Sequence, residues 1–472
     1  MSSEVEHLLD TITRAVTSLK LACSADGTTI PDIREPFEPS SERFRNNYDA
    51  LQAARVIGAA ALQLEAVVAP PQLVLFQVAG GFFKSMALRV CLESHVTEIL
   101  RDAGKEGMHV RDIAKLNGQD PEKLARFLRY LCSNHVYKEV SPDVFANNRV
   151  SSLLDTKKTI NQLRTTPLEK YKNSNGMAAL AGHFLDECFK GAAYAWEFLN
   201  DPTTPQAEEH LATPLNTAYN THMSYFDFLR EEGQGMRRLR FDSCMEGMER
   251  MQPADVTLNA FQWSSLPKNS KVVDVGGGVG NVFFPLAAGF PDLKLVVQDL
   301  PNVVNNGKNL WTERMPTALE SGQVTLEAHN FFDPQPQKDV SVFFLKHVLH
   351  NWSDSSCIII LKRLRDASNS STRLVIMDSA MPYVCRSQEN SNPASADEAP
   401  EPLLANYGAL NEMSHILDMV MFVILNTQER TYAHLDRLLN EAGWTVSSVR
   451  RKPGDAAFVQ IEAKPLNMQL KL

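Results

Sequence analysis

Residues 271–290 read KVVDVGGGVGNVFFPLAAGF: a short β-branched run, a glycine cluster, then an apolar segment able to coil. β-branched residues fit a pleated buried surface, and glycine permits turns closed to other residues. A strand, a tight loop and a helix in that order open a parallel crossover unit. The same texture continues outward in LKLVVQDLP (293–301), QVTLEAHNFF (323–332), VSVFFLKHV (340–348), TRLVIMDSAMP (372–382), WTVSSVRR (444–451) and AAFVQIEAK (456–464), with helical segments between. Strands alternating with helices predict a mostly parallel α/β sheet with helices on both faces, and such sheets bind ligands at the carboxyl ends of their strands.

Those strand ends carry the candidate chemistry. Gly276, Gly278 and Gly280 follow Asp274 in the spacing D-x-G-x-G-x-G. The dinucleotide fingerprint G-x-G-x-x-G would need glycine at 281, where Asn281 stands; this disfavours a nicotinamide-dependent oxidoreductase. Asp299 closes the second strand about twenty residues further on, where a carboxylate can accept hydrogen bonds from ribose hydroxyls. Loop and acid together point to a nucleoside-type cofactor. Beyond the third strand, Asn330 can bond an adenine edge while Phe331 covers its face, although a turn cap and a core aromatic are the structural alternatives. Lys346, His347 and His350 end the fourth strand, and histidine is the side chain suited to taking a proton near neutral pH.

Upstream the pattern is helical. Residues 1–150 hold amphipathic stretches and, in GMHVRDIAKLNGQDPEKLARFLRYLCSNHVYKEVSPDVFANN (107–148), the order helix, Gly turn, helix, hairpin of a winged helix-turn-helix. Lys123, Arg126 and Arg129 would face DNA if that element were a reader; a formal net charge of -9 favours a scaffold or dimerisation module instead. Residues 151–262 read as further helices, in which Phe226, Phe228, Met245 and Met248 either line an apolar pocket or fill core. Residues 263–472 hold the α/β domain, with 386–408, rich in Ser, Asn, Pro, Ala and acid, expected to be a mobile insert.

Hydrophobic residues at 44% and charged residues at 22% fit a folded soluble protein rather than a disordered one. Seven dispersed cysteines without a C-x-x-C fit a reducing compartment and no zinc site. The N-terminus lacks the pattern of a signal peptide, and the apolar stretches near Ala59 and Leu73 read as too short or interrupted to span a bilayer. A cytoplasmic protein without membrane or nucleic-acid partners is the expectation.

In their order and intervals, ALRVCLESHVTEIL (87–100), the winged-helix segment with FANN (145–148), VVDVGGGVG, VVQDLP, LKHVLHNWSD (345–354), LVIMDSAMP and DMVMFVILNTQERT (418–431) resemble the S-adenosylmethionine-dependent O-methyltransferases of the caffeic acid O-methyltransferase type, most of all the fungal ones. The resemblance implies a homodimer built through the N-terminal region and a Rossmann-like domain that methylates a hydroxyl of an aromatic small molecule. It further implies that Gly276, Gly278, Gly280, Asp299, Asn330, Phe331 and Lys346 hold S-adenosylmethionine, that His350 is the general base, and that Asp378 and Glu429 flank it. No metal is implied, and the sequence offers no obvious metal-ligating cluster near these strand ends. Three positions depart from the family: Asn330 and Asn351 stand where it has Asp, and Asp378 where it has Glu. Asn351 thus bears on substrate placement. A catalytically silent protein, or a DNA-binding winged-helix protein using the nucleoside cofactor as ligand, is the alternative.

Overall fold

The run VSVFFL at 340–345 is apolar at nearly every position because it is buried on both faces of a sheet. Val342 and Phe344 pack on one side with Val272, Leu295, Val297, Phe283, Leu286 and Trp311. Phe343 and Leu345 pack on the other with Val273, Ile360, Leu361, Leu364, Leu435 and Trp444. The computed structural model describes residues 3–204, 211–252, 255–386, 398–450 and 458–466. The chain forms two units, Met1–Ala207 with Leu211–Gln252, and Glu208–His210 with Pro253–Leu472.

In the first unit, helix α1 (Glu4–Ala25) lies against α2 (Tyr48–Val68) through Leu19, Cys23, Ala50 and Ala53, closed by Phe44. Helices α3 (Pro71–Ala79), α4 (Phe82–Glu93) and α5 (Val96–Ala103) follow. Strand β1 (Met108–His109), helices α6 (Val110–Asn117) and α7 (Pro121–Ser133), and strands β2 (Lys138–Ser141) and β3 (Val144–Ala146) then make the expected helix-turn-helix and wing, with sheet order β1-β3-β2. Gly118, at φ +75°, ends α6, and Asp120 caps α7 by accepting the Lys123 N–H.

The second unit holds the seven-stranded sheet in order β6-β5-β4-β7-β8-β10-β9. Its strands are β4 (Lys271–Val275), β5 (Lys294–Asp299), β6 (Val324–Ala328), β7 (Val340–Lys346), β8 (Arg373–Ser379), β9 (Trp444–Arg450) and β10 (Phe458–Pro465). Strands β4 to β8 pair in parallel, while β10 runs antiparallel to both β8 and β9. The order reverses between β4 and β7, so the crevice at their carboxyl ends is the topological switch point where α/β sheets bind ligands.

Two expectations need correction. Helix α2 has 21 residues and mean hydropathy 1.3, with 17% of that window buried, and α3 with α4 pass the same test as a pair bent by 42°. The break between Ala79 and Phe82 bends α3 against α4 without ending their apolar character, so length and composition alone do not exclude a membrane span. Of the stretch 386–408, residues 387–397 lie outside the described residues. The rest does not read as a mobile loop: Ala399, Leu403, Ala405 and Tyr407 are buried, and Arg386 donates to the carbonyls of Ala399 and Leu403.

Trp311, on the helix Pro301–Arg314, ties this core to the glycine loop. It is fully buried, stacks on Phe284 with centroids 4.0 Å apart, and donates its Nε1–H to the Val279 carbonyl at 3.0 Å. Trp311→Phe keeps an aromatic ring but leaves that carbonyl without its donor. It is expected to cost about 1–3 kcal/mol of stability in denaturant titration; an unchanged midpoint would show that the bond contributes nothing.

Candidate active site at the carboxyl ends of the strands

The loop after β4 can exist only as glycine at its turning points. Gly276, Gly278 and Gly280 have φ of +69°, +60° and +80°, the left-handed region that costs other residues strain. A Cβ at Gly280 would also meet Trp311 Nε1 at 2.7 Å, and one at Gly276 would lie 3.3 Å from the Phe331 ring. Two bonds fix the loop from β5. The Gly277 N–H donates to the Gln298 carbonyl at 3.0 Å, and the Gly278 N–H to Asp299 Oδ2 at 2.8 Å. Asp299 Oδ1 accepts the Leu300 N–H at 2.7 Å. Burial raises the Asp299 carboxyl above its usual range, and these two amides act against that.

Asp274, quoted above as part of the spacing and given no role there, is a site residue in its own right. It is buried in β4, its carboxylate oxygens have no hydrogen-bond partner, and a Cβ on Gly277 would lie 2.2 Å from Oδ2. Burial pushes its pKa up to about 8, Lys346 pulls it down and Asp299 adds to the rise. An acid inside an apolar strand, directly before a glycine cluster, was the available signal: such a group persists only where something complements it.

Beyond β6, Asn330 caps its own turn, its Oδ1 accepting the Phe332 N–H at 3.1 Å. Phe331 meets Trp352 edge-on, centroids 5.6 Å apart, beside the Gly276 turn. Lys346 is the last residue of β7. His347 follows at φ +55°, its N–H bonded to the Met377 carbonyl. Burial, then the neighbouring His350 and Lys346, hold its ring well below the ordinary histidine pKa, so it stays neutral.

His350 sits in the one-turn helix Leu349–Asn351, and its side chain is 16% exposed. Its Nδ1–H faces Glu429 Oε1 at 2.8 Å, Asp378 Oδ1 lies 3.7 Å from the same nitrogen, and the His350 N–H donates to Asp378 Oδ2 at 3.3 Å. Sequence separations of 28 and 79 residues are bridged because β8 neighbours β7 and because Arg430 joins Ala380 in a parallel bridge beyond β8. Burial disfavours the imidazolium, yet Asp378 and Glu429 outweigh it and lift His350 to about 9. Burial likewise raises Asp378, to about 6. The shorter Asp378 carboxylate therefore still reaches His350, through the His350 backbone N–H and through its charge.

Asn351 turns back on the strand end, its Nδ2 donating to the His347 carbonyl at 3.0 Å. Phe228 is buried core against Tyr219, Met248 packs on the core around Tyr171 and Cys244, and Phe226 and Met245 are exposed. Arg129 is held by Glu139 and Asp143, at 2.9 and 2.8 Å, so its charge is spent within the wing. His347, His350 and Asp378 bring potential ligand atoms within 4.8 Å of one another. The sequence hid that grouping because Asp378 comes from the neighbouring strand.

Residues 196–397 match the family model described as an O-methyltransferase domain, and residues 76–157 the O-methyltransferase dimerisation domain. The chain is 44% identical to "4-O-methyltransferase 1" of Phanerochaete chrysosporium, over 98% of this chain and 100% of that one. The solved mitomycin 7-O-methyltransferase MmcR shares the fold with a TM-score of 0.60 at 21% identity, covering 84% of this chain and 98% of that one. LepI, solved in complex with SAM, does so at 0.65 and 16% identity, covering 97% and 99%. The chain belongs to the S-adenosylmethionine-dependent O-methyltransferases.

Asp299→Ala removes the acceptor of the Gly278 N–H, a bond to a charged group. By the usual worth of such bonds, about 1.5–3 kcal/mol, it is expected to weaken S-adenosylhomocysteine binding roughly 10- to 150-fold in calorimetry. Unchanged affinity would remove Asp299 from the cofactor site.

Proposed function

We propose that this enzyme methylates a phenolic hydroxyl of an aromatic small molecule, with His350 as general base and Glu429 and Asp378 orienting it. The observation that carries this is the 2.8 Å contact of His350 Nδ1 with Glu429. With Nδ1 committed to a carboxylate, Nε2 is the nitrogen left to take a proton, the logic by which a buried acid fixes the tautomer of a catalytic histidine.

Bound S-adenosylmethionine supplies an electrophilic methyl group, so the protein has chiefly to hold an acceptor oxygen in line and remove its proton. For the cofactor we assign Gly276, Gly278, Gly280 and Asp299 to the methionine and ribose part, with Asn330, Phe331 and Lys346 toward the adenine. The orphaned Asp274 carboxylate supports this, since a cationic ligand beside the loop would complement it. Asn351 acts on the acceptor indirectly, by fixing the strand end that carries His350.

The raised pKa of His350 suits a phenol. A phenol of pKa about 10 gives its proton to an unperturbed histidine roughly 3.5 units uphill, about 5 kcal/mol; against a base near 9 the deficit is about 1.4 kcal/mol. The gain has a cost: at neutral pH most His350 is imidazolium and must first lose its Nε2 proton.

For the assembly we propose a homodimer without nucleic acid or membrane as partner. Helix α3 has no buried residue, and Phe76 and Val78 are each 75% exposed. That face runs into the matched dimerisation domain, which begins at residue 76. Between Arg55 and Lys84 the chain's single charge is Glu65, whereas helices that lie on membranes carry cationic polar faces. A second copy of the chain is therefore the occupant.

Kinetics and measurements of assembly check these assignments. The log of kcat/KM should rise with pH up to an apparent pKa near 9. In Glu429→Gln, where one raising charge is gone, the limb should move to lower pH with a lower plateau. His350→Ala should lose roughly 10²- to 10⁴-fold in turnover while S-adenosylhomocysteine still binds; undiminished turnover would eliminate the base. In light scattering, Phe76→Asp combined with Val78→Asp should convert a dimer to a folded monomer. A dimer that persists, or wild-type protein floating with neutral phosphatidylcholine vesicles, would overturn the assigned face.

A further inference from the structure

Glu429 has a neighbour whose charged side chain is almost fully buried. The Arg430 side chain is 1% exposed, and all three of its nitrogen groups are bonded around the turn that carries His350. Its NH1 donates to the Leu349 carbonyl at 2.8 Å, its NH2 to the Trp352 carbonyl at 2.6 Å, and its Nε to Asp354 Oδ1 at 2.9 Å. The two carbonyls lie immediately before His350 and two residues after it. The Arg430 backbone is anchored in turn, its carbonyl accepting the Met381 N–H at 2.9 Å beyond the end of β8.

Asp354 begins the helix Asp354–Asp366, after the Ser353 cap. Its second oxygen faces His434 Nε2 at 2.6 Å and Arg437 at 3.1 Å. A guanidinium is a planar fork whose donors hold fixed relative directions. Fastened this way, Arg430 determines where the His350 turn stands relative to the residue preceding it in the chain, and that residue is Glu429.

We propose that Arg430 is a positioning residue for methyl transfer: its fork holds the Leu349–Trp352 turn at the separation where His350 meets Glu429. Removing the fork lets the turn relax while the glycine loop, held from β5, keeps its own bonds. The base then loses its alignment and the cofactor does not. This inference rests on His350 as the base.

The test compares Arg430→Lys, Arg430→Met and His350→Ala in the full-length enzyme with a phenolic acceptor that it turns over. Lysine retains the charge without the fork. Both Arg430 variants should lose about 100-fold in kcat, the scale of an ångström-sized misplacement, with S-adenosylhomocysteine affinity unchanged. The pH profile separates charge from shape. The groups facing His350 are Asp378, Glu429, Arg430 and the neutral His347, and Arg430 is the cation that opposes its protonation. Arg430→Met should therefore move the rising limb to higher pH, and Arg430→Lys should leave it in place.

Retained kcat in Arg430→Lys overturns the proposal. So does a loss of kcat and cofactor affinity in proportion, which marks general unfolding. If neither Arg430 variant folds, His434→Gln, at a side chain 21% exposed, loosens Asp354 alone and should lower kcat with the pH limb unmoved; full kcat there overturns the proposal as well. His350→Ala retaining turnover would defeat the base assignment itself, whereas a dead His350→Ala beside a fully active Arg430→Lys would defeat the positioning role alone.

Discussion

The hydrogen bond between His350 Nδ1 and Glu429 joins two parts of the chain 79 residues apart, and most of the second unit serves to make it possible. His350 leaves the end of β7, a strand buried on both faces, and so enters the site from a rigid support. Glu429 arrives from the other direction, after the helix Glu412–Leu425, and its N–H donates to Asp418 Oδ1 of that helix at 2.8 Å. A buried carboxylate is costly unless it is paired. The pairing with imidazole offsets that cost and at the same time settles which histidine nitrogen carries the proton.

The cofactor side follows a different rule, in which backbone rather than side-chain length sets the geometry. Positive φ at three glycines lets the loop double back over Asp274, while Asp299, Gln298 and Trp311 hold it from β5 and the following helix. None of these bonds comes from β7 or β8. The glycine loop and the His350 turn are thus built on opposite sides of the switch point between β4 and β7, each held by its own set of bonds.

The sequence carried the fold because its local signals agreed. Apolar runs ending in glycine, acid or histidine are read directly, and every strand read from the sequence is present among the described residues. Position was legible where one residue type has one use: Gly278 stands at positive φ in the loop after β4, and His350 in the turn that follows β7. It was not legible where function depends on what a neighbour does in space. For Asn351 the sequence suggests substrate placement, and the structure alone shows its bond to a backbone carbonyl of its own strand end. Asp274 looked like spacing and is an unpaired buried acid. Arg430 is silent in sequence, since an arginine after a glutamate carries no signal until its donors are seen to reach carbonyls some eighty residues earlier. The covered side of α3 was also not legible, because the helix carries no charge and its polar residues are only Gln72 and Gln77.

Charge counting explains why this base has a high proton affinity in a cavity that should depress it. With His350 protonated, the cluster of His350, Arg430, Asp378 and Glu429 sums to zero; with His350 neutral it carries one negative charge. Asp354, which pairs with both Arg430 and Arg437, does not alter the comparison, because with Arg437 it adds opposite charges to both states. In a medium of low polarity an uncompensated charge is the expensive state, so the cluster prefers to hold one extra proton. In the proposed reaction a phenol delivers that proton to Nε2 as its oxygen becomes nucleophilic, and the cluster passes from net negative to neutral in the same event. Relative to the neutral His350 that would accept the proton, the stabilisation develops during the reaction and can lower its barrier; relative to the resting imidazolium it is the cost of first removing that proton.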